Sequence, residues 1–209
     1  MKTKKGLGMR NGVRVRGLRS VFALALMVSA CGGETASDSP EALCRAARYG
    51  ESEKAVALLA QGAEYQKAAV GYGVTPLHWA AMDDNADIVA AILQRAKADG
   101  RLQAVLDARD VWNCTPLMWA ASEGHFQVVD ALVSAGAALN LRGSAGDTAL
   151  HLGVLAVKKS AARVVKRLID AGADTTITNA AGHSVEAWAR LQGRADMAAL
   201  LRKTSGGAP

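Results

Sequence analysis

Apolar positions along the chain change their spacing once the leading segment is passed. Between Val21 and Val28 they run without a break. From about residue 41 they recur every three or four residues, the period of helices that bury one face. Leu77, Ala80 and Ala81 form one stripe, and Ile88, Val89, Ile92 and Leu93 form a second within Ala86 to Leu93, so two successive helices are predicted. The pair returns over 115–135, where the turn Glu123-Gly124-His125 leads into Val128, Val129, Leu132 and Val133. Gly136 follows at the left-handed position that closes many helices.

Each pair opens on one phrase. Thr75-Pro76-Leu77-His78-Trp79-Ala80-Ala81 returns as Thr115-Pro116-Leu117-Met118-Trp119-Ala120-Ala121, and loosely as Thr148-Ala149-Leu150-His151-Leu152-Gly153. Thr is a good helix cap, and Pro is tolerated at the first helical position because its missing N–H would be unpaired there anyway. Thr115 and Thr148 stand 33 residues apart, and self-similarity at that period means one unit laid down several times. Upstream, Leu43, Ala46 and Ala47 fall in register with Leu77, Ala80 and Ala81, followed by Val56, Leu58, Leu59 and Gly62-Ala63. Downstream, Ser184 and Ala189 fall in register with Thr148 and Gly153, with Trp188 on the column of Trp79 and Trp119, before Met197, Leu200 and Leu201.

Five units result, at about 41–69, 70–107, 108–140, 141–176 and 177–203, the outer two degenerate as caps should be. Two intervals exceed the period. Thr75 to Thr115 is 40 residues and Thr148 to Ser184 is 36, which predicts loop insertions over Ala98–Ala104 and near Ala156–Ser160. Insertions in an array fall in loops, which often lie on a functional face, and that role stays open for 98–104; loop extension costs little, so drift is the simpler reading of both.

The phrase, the period and the Gly-Ala exit together resemble the ankyrin-repeat family, over about residues 41–203. The resemblance implies an all-α fold: a solenoid of about five helix-turn-helix repeats with short β-hairpin turns. It also implies a partner bound through the hairpin tips and the concave helix face. Carried over position by position, the partner-binding residues are Tyr72, Val74, Met82, Asp83, Val111, Trp112, Ser122, Glu123, Ser144 and Asp147. Tyr72 and Trp112 stand out because aromatic residues dominate binding energy at interfaces. Asp83, Asp84, Asp87 and Glu123 give the helix edge an acidic cast that suits a basic patch on the partner. For His78 and His151 the resemblance implies a hydrogen bond to the neighbouring hairpin backbone.

Charge changes the picture only after it is located. The chain carries 25 basic and 19 acidic residues, but Lys2, Lys4, Lys5, Arg10, Arg14, Arg16 and Arg19 lie in the first 30 residues, which hold no acid. The remainder is nearly neutral, so bulk charge gives no support for a nucleic-acid partner. A basic segment, a short apolar run and Ser29-Ala30 before Cys31 make a secretory signal peptide over 1–30, too short in its apolar part to span a bilayer. Val28-Ser29-Ala30-Cys31 resembles the lipobox of bacterial lipoproteins, with Val28 in place of the commoner Leu. That resemblance implies Cys31 as the lipidated first mature residue, a flexible tether over 31–40, and a periplasm-facing protein, the outer membrane favoured because no acidic residue follows Cys31 immediately. A disordered tail is expected over 204–209.

Candidate chemistry is sparse. His78, His125, His151 and His183 each fall about one repeat apart, near 8–10 Å for packed helices, whereas a shared metal needs ligands at about 2 Å. Cys44 and Cys114 sit two repeats apart, roughly 20 Å, and are expected to remain free thiols. Trp79, Trp119 and Trp188 read as an inner packing column. No nucleophile elbow, phosphate loop or His-Glu-x-x-His motif occurs, and no catalytic residue, metal or cofactor is expected. The expected role is a monomeric, non-catalytic scaffold for a protein partner. Two other roles stay open: an immunity or inhibitor protein neutralising an envelope-acting toxin or enzyme, and an accessory protein supporting an oxidative-stress enzyme.

Overall fold

A computed structural model of the protein describes residues 40–68 and 71–205. The expected signal peptide, Cys31 and the tether up to residue 39 lie outside the described residues, as do 206–209. The eleven helices among the described residues are α1 (Pro40–Tyr49), α2 (Ser52–Ala60), α3 (Pro76–Met82), α4 (Ala86–Ala98), α5 (Leu102–Leu106), α6 (Pro116–Glu123), α7 (Phe126–Ser134), α8 (Ala149–Gly153), α9 (Ala161–Asp170), α10 (Val185–Leu191) and α11 (Ala195–Ser205). Pro40 therefore opens a helix instead of ending a tether, and the last helix continues into the expected tail.

The helices stack in two layers. First helices α1, α3, α6, α8 and α10 pack side by side in chain order, second helices α2, α4, α7, α9 and α11 do the same, and each first helix packs on its own second helix. The capping phrase starts the first layer: Thr115 Oγ1 accepts from Met118 N at 3.3 Å and Ser184 Oγ from Ala187 N at 3.4 Å. Leu77, Ile88, Ile92, Leu117, Leu132, Leu150 and Leu168 are fully buried between the layers. Ala80, Ala81, Ala120 and Ala121 are fully buried too, and their small volume sets how closely the first helices approach. Among the described residues there is no extended strand; Thr178 and Ser184 form an isolated antiparallel bridge. No helix among them is long and apolar enough to cross a membrane.

The longer insertion is not a loop. Second helix α4 runs 13 residues where α2 and α7 run nine, and the four extra, about one turn, keep Ala96 on the buried face. After a reversal at Gly100 the chain forms α5, which buries Val105 and Leu106. Asp107, at its end, accepts from Ala138 N in the next repeat at 3.0 Å. An amphipathic pattern spread over only five residues is too short to show as a helix in the sequence, which is why the segment read as a loop. The shorter insertion is divided: α9 is one residue longer than α7, and the rest extends the turn before it, where Val157 is 93% exposed. Val56, expected on a buried stripe, is half exposed, and Ala55 faces inward instead.

Leu106→Ala is expected to cost about 2–4 kcal/mol in urea unfolding, as for other buried Leu truncations. A loss within about 0.5 kcal/mol, the range of surface changes, would return the insertion to passive drift.

Candidate interaction surface

Three kinds of tie link successive hairpins, and all three occur together between the fourth and the fifth. Backbone N–H groups of Val111, Ser144 and Ala180 donate to the carbonyls of Tyr72, Trp112 and Ala145 at 3.1, 2.8 and 2.9 Å, one bond per junction in constant register. Arg109 Nη1 donates to Arg142 O at 2.9 Å, and Arg142 Nη2 in turn donates to Thr178 O at 2.6 Å. The histidines add the third tie. His78 Nδ1 accepts from Thr75 N–H at 3.2 Å, which leaves Nε2–H to donate to Cys114 O at 3.1 Å; His151 repeats this with Thr148 N and His183 O at 3.3 and 3.2 Å. Gly146, at φ +74°, lies so close to the next hairpin that a Cβ there would meet Ala180 N at 2.6 Å.

These bonds require neutral imidazoles. Burial pushes His78 down to about 4, partly offset by its bond to Cys114, and lowers His151 as well. Asp110 is the acid of the third hairpin. One of its oxygens accepts from Trp112 N and Cys114 N at 2.9 and 2.8 Å, and the other from Trp119 Nε1 at 2.9 Å. Burial raises its carboxyl, and the three donors pull it back. In the fifth repeat Asn179 takes the same position, with Oδ1 accepting from Ala181 N and His183 N, both at 3.1 Å. Its amide nitrogen cannot accept the indole N–H, and Trp188 Nε1 is buried without an acceptor. The expected tryptophan column is correspondingly incomplete. Trp79 and Trp119 meet edge to face at 6.0 Å, whereas Leu152 occupies the fourth repeat and Trp188 stacks on His183.

The predicted binding residues separate into two groups. Tyr72 and Trp112 lie half-buried in an offset parallel stack, centroids 5.8 Å apart and 4° from parallel. Val111 and Ser144 are exposed beside them, and Met82, Asp83, Glu123 and Asp147 are half-buried. Asp147 keeps one carboxylate oxygen buried without a partner, and burial raises its carboxyl. Two residues are corrections. Val74 is 1% exposed because its hairpin position points into the stack, and Ser122 is 6% exposed with Oγ donating to Trp119 O at 2.9 Å. Neither offers a side chain to a partner. Cys44 and Cys114 are buried thiols, Cys114 pushed up to about 12 by burial and by Asp110 and Asp147.

Sequence reasoning passed over the ends of the first and last inner helices. Tyr49 is 66% exposed, with Arg48 5.6 Å over its ring and 4.7 Å over Trp79; Leu191 is 63% exposed. The register that aligned Leu43 with Leu77 already set Arg48-Tyr49 over Met82-Asp83, so the signal was present.

A linear stack of helix pairs, stitched hairpin to hairpin with each unit touching only its neighbours, is a repeat solenoid. Comparison of the chain with family profiles gives a match described as Ankyrin repeats (3 copies), over residues 17–104 and 102–179. The chain belongs to the ankyrin-repeat family. The match reaches back into the segment read as a signal peptide, while the Thr-Pro phrases stand from Thr75 onward. No curated protein matches the chain.

The buried imidazoles set a pH dependence. A His held at about 4 when folded, against 6.5 when unfolded, contributes stability that is complete above 6.5 and lost as pH falls toward 4, about 3 kcal/mol in all. The raised Asp110 and Asp147 carboxyls act oppositely, losing stability as pH rises through their range. Urea midpoints are therefore expected to drop between pH 7 and pH 4, and to drop less in His78→Gln, where Gln can still accept from the helix start. Identical slopes in the two proteins would contradict this account of His78.

Proposed function

We propose that this chain is a binding module for another protein, held at the periplasmic face of a bacterial membrane, the outer one favoured, by lipid on Cys31. Ankyrin repeats generally mediate protein–protein interaction. The observation that carries the choice of surface is the stacked Tyr72–Trp112 pair beside exposed Val111 on a hairpin edge fixed by backbone bonds. Two aromatic rings already held against each other lose little conformational freedom on binding, which is what lets such residues anchor an interface. Tyr49, Met82 and Glu123, at the far ends of the first helices, extend the surface across three repeats. The mechanism is recognition by a preformed edge, with specificity in side chains the repeat phrase leaves free to vary.

Crosslinking capture from envelope extracts tests the surface. Trp112→Ala is expected to lower capture about 30-fold, the range of an aromatic hot spot, and Val56→Ala on the second-helix layer to leave it unchanged. Equal capture by all variants would remove the hairpin edge from consideration.

The anchor is tested separately. Labelled fatty acid is expected on the full chain and absent from Cys31→Ala. Label persisting on the variant, or missing from the wild type, would end the lipoprotein reading.

A further inference from the structure

Charge divides the array along its length. Residues 40–140 hold 12 acidic and 8 basic residues, and residues 141–205 hold 5 acidic and 10 basic. Between Asp147 and Asp170 the chain carries Lys158, Lys159, Arg163, Lys166 and Arg167 and no acid. Not all of these are available. Lys158 Nζ lies 2.9 Å from His125 Nδ1, Arg167 pairs with Asp130 and Lys166 with Asp170. Lys159 is exposed beside Val157, and Arg163 is exposed over the Phe126 ring at 3.9 Å. Val157, at 93%, is the most exposed of the large apolar side chains among the described residues.

We propose that this corner, the turn 156–160 with the outward face of α9, is a second contact surface, and that it takes an anionic phospholipid surface. The partner class follows from size. A stable protein interface needs about 800 Å² per side around a well-packed apolar centre. Within 156–170 Val157 is the one exposed large apolar side chain, and Ala156 before it is buried. That is too little for a protein hot spot, but a single apolar side chain ringed by cations suits the boundary between headgroups and acyl chains. Each basic residue near such a surface contributes about a fivefold gain, so the corner binds only weakly by itself. It gains force where the array is already tethered, which rests on the Cys31 reading. Chain from Cys31 to Ser39 reaches at most about 30 Å, similar to the separation of the first and fourth repeats at about 10 Å per unit, so anchor and corner can touch one bilayer together. The array then lies with its basic end down and its acidic, aromatic end outward.

The test is a fluorophore on Val157→Cys, since Cys44 and Cys114 are buried, read by a quencher in the bilayer. Full chain is used both acylated and as Cys31→Ser, the latter titrated with vesicles to millimolar lipid. Quenching is expected with phosphatidylcholine vesicles containing phosphatidylglycerol and not with phosphatidylcholine alone. Lys159→Gln with Arg163→Gln should weaken the lipid dependence of the Cys31→Ser chain about 25-fold, and Lys54→Gln with Lys97→Gln should leave it unchanged. Equal quenching in both vesicle types, or equal loss in both double variants, overturns the proposal. Acylated chain that fails to float with vesicles while the Cys31→Ser titration still shows the Lys159 and Arg163 dependence overturns the anchor and keeps the corner. Loss of protein capture in the Lys159 and Arg163 variant, with quenching unaltered, assigns the corner to an acidic protein instead.

Discussion

The first helices of this array are too short to stand alone, and in the first four repeats the end of that helix or the turn after it leaves a carbonyl that is met from the next repeat. Isolated helices below about 12–15 residues are marginal in water, and the first helices here run five to ten residues. The neighbouring repeat supplies the missing donors. At the turn between helices one structural position does this throughout: Asn85 Nδ2 donates to Ala47 O at 2.7 Å, His125 Nε2 to Met82 O at 2.9 Å, Ser160 Oγ to Gly124 O at 2.5 Å and Arg194 Nη1 to Ala156 O at 2.7 Å. Four different side chains perform one task. Each bond is worth only about 1 kcal/mol net, but each sits at a junction the unit cannot close by itself, so the stack is stable only as a stack.

Fixing both ends of every unit has a functional consequence. The hairpin edge, bound by backbone ladder, arginine staples and neutral histidines, presents Tyr72, Trp112 and Val111 in a geometry the core determines. Side chains that hold the register, among them His78, Asp110, Thr115 and His151, are turned inward and are unavailable to a partner. Binding capacity is therefore confined to the residues between them. The same burial keeps Cys114 inert, since a thiol pushed up to about 12 offers almost no thiolate for oxidation.

The fold was legible because its signal repeats: Thr, Pro, Leu and paired Ala at one spacing define cap, start and core, and the period defines the stack. Single positions were less legible. Val74 and Ser122 look like surface by alignment, yet the first faces the neighbouring hairpin core and the second returns its hydroxyl to its own helix. Helix α5 left no mark on the pattern because a stretch of five residues is too short to establish a period. Tyr49 was legible from the register that sets it over Asp83, although the first repeat lacks the Thr-Pro phrase.

The shorter insertion shows how far a spacing argument can carry and where chemistry takes over. By length alone the extra residues before α9 are drift. In place, they bring Lys158 to 2.9 Å from His125 Nδ1, with an Asp84 carboxylate oxygen 3.0 Å from the same nitrogen. Nε2–H donates to Met82 O, and Nδ1 on the other side of the ring faces both the Lys158 ammonium and the Asp84 carboxylate. Three successive repeats meet at that one imidazole. Removing the added residues would withdraw Lys158 from a ring that is 5% exposed, so the insertion is part of the junction and the period is broken there for a structural reason.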